Sequence, residues 1–231
     1  MNILAIDTST NVLGVGVVSQ DKVIGEYMTN VKRNHSTRVL PAIDYLLNDC
    51  GVAKNEIEKI VVANGPGSYT GLRIGVTIGK TLAWTLKVPI VGVSSLKVMA
   101  ANARYFEGLI SPVMDARRGN IFTGLYKYKD GKLQQVEEDK HRSVKEWGDH
   151  LKDFNKPVMF VGDDSLIHNE IFSSILNDNA IFAPLTLNVP KPGELALLGK
   201  DLPGEDAHLF KPNYLRLSEA EAKWREKNRN N

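Results

Sequence analysis

The sequence predicts an α/β protein built from two βββαβα-type halves. Three observations carry this reading. The first 30 residues hold three apolar segments at hairpin spacing. From residue 36 onward, helical apolar patterns alternate with short β-branched runs. After residue 105, strand-rich segments return and the alternation starts again.

Ile3–Ile6, Val12–Val18 and Lys22–Tyr27 read as an antiparallel meander, broken by Asp7-Thr8-Ser9-Thr10-Asn11 and Ser19-Gln20-Asp21. Val39, Leu40, Ile43, Leu46 and Leu47 then recur at three- and four-residue intervals, predicting a helix from Ser36 or Thr37 to Asp49. Ser36 is the expected N-cap, Pro41 fits only near the first turn, and Gly51 is a natural stop. A strand at Ile60–Ala63, a helix over Thr70–Leu86 and a strand at Ile90–Val93 follow. A further helix is expected from Ser94-Ser95 to about Tyr105. In the second half, strands are expected at Ile110–Asp115, Asn120–Tyr128, Leu133–Val136 and Val158–Val161. Helices are expected at Val144–Leu151, Ser165–Leu176 and Glu194–Asp201, and residues 183–192, with three prolines, read as a loop. The division falls into residues 1–105 and 106–231.

A chain of 231 residues can bury a sizeable core. Its composition is 42% hydrophobic and 24% charged with a net charge of +2, which gives no overall basic field for nucleic acid. Only Lys223–Asn231 is locally basic, and reads as a solvated tail, with contact to RNA as the alternative. A single cysteine, Cys50, excludes an intramolecular disulfide. With no signal-like or membrane-spanning run, a cytoplasmic protein is expected.

Gly65-Pro66-Gly67-Ser68-Tyr69-Thr70-Gly71 sits between a strand and a helix, where backbone N–H groups can cradle an anion. It lacks the spacing of a Walker A loop, a Rossmann fingerprint or a nucleophile elbow. A tight glycine turn and an anion cradle both remain open. Asp7 and Ser9 at the end of the first strand offer the same choice, between Mg²⁺-phosphate binding and a plain hairpin turn. The helix beyond carries Gly71, Gly75, Gly79 and Ala83 every four residues, a flat stripe that admits another helix closely. Its other positions are apolar almost all round, so either the second half or a partner subunit must cover it. The five histidines form no metal set with Cys50, and His35 reads as a base or ligand, or as an exposed residue beside a cap.

Ile3–Ser9, His35-Ser36-x-x-x-Leu40-Pro41, Gly65–Gly75, Pro89-x-Val91-Gly92-Val93-Ser94-Ser95-Leu96 and Pro212-x-Tyr214-Leu215-Arg216 together resemble the TsaB (YeaZ) family of bacterial tRNA threonylcarbamoyladenosine biosynthesis proteins. The resemblance spans essentially the whole chain and implies the actin-like ATPase (sugar kinase–Hsp70, or ASKHA) fold. It implies a non-catalytic partner of TsaD, the subunit that transfers threonylcarbamoyl to the adenosine beside the anticodon of ANN-decoding tRNAs. TsaE, an ATPase, joins the assembly. The metal-holding His-x-x-x-His pair of TsaD falls here on Ser95 and Met99, which cannot replace two imidazoles.

The family's homodimer and its pairing with TsaD use the helices matching Ser36–Asp49 and Thr70–Leu86. The expected partner-binding residues are thus Leu40, Ile43, Leu47, Gly71, Gly75, Ile78, Gly79, Leu82 and Ala83. The expected nucleotide-contacting residues are Asp7, Ser9, Gly67, Ser68, Tyr69 and Thr70, with ATP or ADP and Mg²⁺ held only in the complex. No cofactor of its own is expected, and tRNA is expected to be touched only indirectly. The rival reading is an enzyme: a nucleotide-hydrolysing actin-like protein, or a glycoprotease-like peptidase using Ser68 or Ser95.

Overall fold

The computed structural model describes residues 1–216; the basic tail singled out above lies outside them. Strands β1 (Asn2–Asp7), β2 (Val12–Ser19) and β3 (Lys22–Asn30) form the antiparallel meander, with Leu4 opposite Val17 and Val15 opposite Tyr27. Helix α1 (Val39–Asp49) crosses to β4 (Lys59–Gly65), which pairs parallel with β1. Helix α2 (Tyr69–Leu86) then crosses to β5 (Ile90–Ser94), parallel with β4. The resulting order is β3-β2-β1-β4-β5. Strands β1, β2 and β4 are covered on both faces, which is why they read as continuous apolar runs, whereas β3 lies at the edge and alternates.

The second half repeats this plan. It contains β6 (Leu109–Asp115), β7 (Asn120–Lys129), β8 (Lys132–Ser143), α4 (Val144–Lys152), β9 (Val158–Val161), α5 (Asn169–Leu176) and β10 (Ala180–Phe182). Their order, β10-β9-β6-β7-β8, matches the first sheet strand for strand. Two further helices knit the halves together. Helix α3 (Ser95–Ala101) places Leu96, Met99 and Ala100 on the second sheet beside Ile110 and Tyr126, and Val98 on the first. Helix α6 (Pro192–Lys200) returns to the first sheet, packing Leu195 and Ala196 over Ile3, Ala5 and Val61. It fits because β2 has Gly16 beneath it: a Cβ there would lie 2.9 Å from the Pro192 carbonyl carbon.

Five local expectations change. The helix begun at Ser95 stops at Ala101 rather than near Tyr105. There the backbone tightens to i→i−3 hydrogen bonds (Asn102 N–H to the Met99 carbonyl, Ala103 N–H to that of Ala100), and the Asn102 side-chain amide donates to the carbonyls of Leu187 and Val189, both at 2.8 Å. Asn34, not Ser36, caps the turn before α1, accepting from the Ser36 N–H at 3.0 Å. The Ser165–Leu176 helix is a 3-10 turn over Asp163–His168 followed by α5. Strand β8 runs on to Ser143 and β10 is added. Both are too polar or too short to show in periodicity, and are set by pairing with β7 and β9.

Candidate functional site

The glycine loop and the first hairpin turn meet. Asp7 is fully buried at the end of β1, and its Oδ1 accepts from the Ser9 N–H at 2.8 Å and the Ser9 hydroxyl at 2.7 Å. Burial raises its carboxyl above the ordinary range, against the Ser9 hydrogen bonds and the nearby His35. Opposite, the Ser68 N–H donates to the Ser9 carbonyl at 2.7 Å, and Gly67 lies flat against that same oxygen with φ +158°. The Ser68 side chain caps α2, accepting from Gly71 N–H at 3.2 Å. The fold thus brings Asp7, Ser9, Gly67 and Ser68 together, but in direct contact with one another. Of the other two residues in that expected set, Thr70 is exposed and Tyr69 packs against Tyr214 with the rings tilted by 31° and their centroids 5.1 Å apart. His35 is not exposed: its ring sits beneath the turn with Nε2 2.9 Å from the Thr10 carbonyl, so that nitrogen carries the proton.

The glycine stripe turns inward, which corrects its reading as an outer docking face. Gly71, Gly75, Gly79 and Ala83 are all buried. Gly71 lies on the Thr8 carbonyl, Gly75 on the Thr8 hydroxyl and Gly79 on Val62, while Thr8 donates its hydroxyl to the Gly71 carbonyl at 2.7 Å. Missing side chains let α2 settle onto its own sheet, so these four residues are removed from the exposed surface.

The remaining expected partner-binding residues do gather. Leu40, 52% exposed, stands between two hollows along the α1–α2 seam. One, of about 530 Å³, is lined by Leu40, Tyr69, Ile74 and Ile78. The other, of about 510 Å³, is lined by Leu40, Ile43, Leu47, Ile57, Leu82 and Leu86, almost without polar atoms. Ile43 and Leu47 form its floor and are themselves buried. Tyr45 on α1 and Trp84 on α2 are exposed at 62% and 64%, so the apolar character continues onto the outer helix surfaces.

The cleft between the halves is partly filled by the chain's own C-terminal strap. Asn213 donates to the Asn64 carbonyl at 2.7 Å, Arg73 Nε to the Tyr214 hydroxyl at 3.2 Å, and Arg216 to the Ala116 carbonyl at 3.2 Å. About 370 Å³ remains there, between Tyr69, Asp115, Phe122 and Tyr214. Sequence reasoning marked Pro212-x-Tyr214-Leu215-Arg216 only as a family motif and missed the strap's place in the fold, where Phe210 enters the first core at 1% exposure. Ser95 and Met99 are both buried where α3 meets the second sheet. Among the described residues, no group of three or more His, Cys, Asp or Glu is placed to hold a metal ion.

The family described as TsaD, tRNA N6-adenosine threonylcarbamoyltransferase, matches residues 22–224. The chain is 51% identical to the tRNA threonylcarbamoyladenosine biosynthesis protein TsaB of Bacillus subtilis, over 97% of this chain and 98% of that one. It is 31% identical to the TsaB of Buchnera aphidicola, over 70% and 78%. In structure it is similar to YeaZ from Pseudomonas aeruginosa, with a TM-score of 0.76 at 24% identity, covering 93% of this chain and 99% of that one. The ROK hexokinase of Thermus thermophilus shares the fold at a TM-score of 0.51 and 11% identity, covering 87% and 98%. The architecture is the actin-like one. The chain belongs to the TsaB (YeaZ) family of tRNA threonylcarbamoyladenosine biosynthesis proteins.

Proposed function

We propose that the chain is a non-catalytic subunit in tRNA threonylcarbamoyladenosine biosynthesis, docking a TsaD-type catalytic subunit through the α1–α2 groove. The observation that carries this reading is the groove itself: two adjoining apolar hollows centred on an exposed Leu40. A monomer has no use for so much apolar surface in water, and an interface core does. The contact between Ser9 and the Gly67-Ser68 backbone supports the non-catalytic part, because it occupies the N–H group an anion cradle would need. The burial of Ser95 and Met99 supports it too.

In this reading a TsaE-type ATPase completes the assembly, which acts in the cytoplasm on ANN-decoding tRNAs. The chain holds no cofactor of its own, and any ATP or ADP with Mg²⁺ is bound only in the complex. A homodimer would use the same groove and compete with the catalytic subunit. The test is Leu40→Arg: calorimetry should show loss of TsaD-type binding, with circular dichroism unchanged. Binding at wild-type affinity would remove the groove from the interface.

A further inference from the structure

At the far end of α3 from the glycine loop, the chain leaves the helix and presents Arg104-Tyr105-Phe106 as a ridge. Tyr105 is 94% exposed, which no packing role explains. A hollow lies on each side of the ridge. One, of about 590 Å³, opens between Asn102, Tyr105, Lys191 and Glu194; the other, of about 550 Å³, opens between Tyr105, Glu107, Lys127, Tyr128 and Lys156. Lys127, Lys156 and Lys191 make no ion pair among the described residues. Arg104 is paired with Glu194, its Nη2 at 3.0 and 2.9 Å from the two carboxylate oxygens, and the Tyr128 hydroxyl donates to the Ala101 carbonyl at 3.0 Å beside them.

We propose that this ridge is an RNA-contacting surface, with Tyr105 stacking on an unpaired base while Lys127, Lys156 and Lys191 lie along the phosphate backbone. An exposed aromatic ring beside three lysines that form no ion pair, with Glu107 the one acid near them not already paired to Arg104, is what single-stranded or loop RNA binds, since every base has a face to stack and every nucleotide a charge to neutralise. Cations on both sides of the ring leave room for a strand to pass over it. That the RNA is a tRNA rests on the pathway proposed above; the surface rests only on the ridge and its charges. The contact is direct, where the sequence led us to expect an indirect one.

The experiment is fluorescence anisotropy of labelled unmodified tRNA with the full-length isolated chain, at several salt concentrations. It needs no docking partner, so it fails or succeeds independently of the groove. Tyr105→Ala, which removes an uncovered ring, should leave the fold intact and weaken binding about tenfold. Lys127→Glu with Lys156→Glu should weaken it further and flatten the dependence of affinity on salt, because fewer counterions are released. No tRNA binding by the wild-type chain, or affinities unchanged in both variants, would overturn the proposal. Loss of TsaD-type binding in these variants with tRNA affinity unchanged would also overturn it, assigning the ridge to a protein partner.

Discussion

Gly79 of α2 rests directly on Val62 of β4: a Cβ added to the glycine would stand 2.5 Å from Val62 Cγ1. Real side chains essentially never approach so closely, so α2 owes its height above the sheet to this absence. The same holds one and two turns earlier, where Gly75 and Gly71 lie on Thr8.

Alanine at these glycines should therefore destabilise the chain, although alanine favours a helix by about 1 kcal/mol over glycine. Overpacking at Gly79 costs about 1–3 kcal/mol and outweighs that gain. Gly71→Ala should cost more, because the obstacle is the backbone oxygen of Thr8 and cannot swing away. Thr77→Ala, on the exposed side of the same helix, should stay within about 0.5 kcal/mol of wild type. Urea unfolding of the three variants checks this; equal midpoints would mean that the stripe does not set the packing.

Phe210→Ala should cost about 3–5 kcal/mol, the usual loss for emptying a buried phenylalanine site. The strap is held on the outer face of α2 as well, since Lys80 Nζ donates to the carbonyls of His208 at 3.2 Å and Phe210 at 2.8 Å. A thermal shift below about 2 °C would show that the strap is not part of the first core.

Asp7 makes stability depend on pH in an unusual direction. Burial raises its carboxyl above the ordinary 3.8, so the folded chain holds a proton that the unfolded chain releases. Stability from this group is full below 3.8 and is lost as pH rises through the raised folded value. Asp7→Asn keeps an oxygen for the two Ser9 hydrogen bonds and cannot ionise, so it should flatten the decline. Denaturant titrations across pH 4 to 8 measure this, and identical slopes in the two proteins would contradict it.

Much of the architecture was legible in the sequence because strands buried on both faces, such as Ile60–Ala63, are unbroken apolar runs. The groove was not legible from periodicity: Leu40, Ile78 and Leu82 entered as expected contact residues only through the family resemblance, because apolar spacing on α1 and α2 does not say what covers them. The glycine stripe was misread because small residues at four-residue spacing announce a close neighbour without naming it. The neighbour is Thr8 and Val62 of the same chain, far off in sequence. The Ser9–Ser68 contact and the strap were hidden likewise, since each joins segments distant in sequence, through hydrogen bonds and, at Phe210, core packing that no local pattern encodes. The ridge at Tyr105 was read as helix because no glycine or proline marks the end of α3, and the Asn102 side chain at that end is held by carbonyls 85 and 87 residues away.

The Ser68 N–H is already spent on the Ser9 carbonyl, at 2.7 Å. Calorimetry of the isolated chain with ATP and Mg²⁺ should give no binding heat and no turnover. Tight binding with hydrolysis would favour an enzyme over a docking subunit.

The most direct measurement is reconstitution of threonylcarbamoyl transfer to tRNA with a TsaD-type subunit, a TsaE-type ATPase and the activated threonylcarbamoyl donor. It should be run with this chain, without it, and with Leu40→Arg in its place. The account predicts full transfer with the wild-type chain, and background transfer both on omission and with the folded Leu40→Arg variant. Undiminished transfer in either of those two reactions would contradict it.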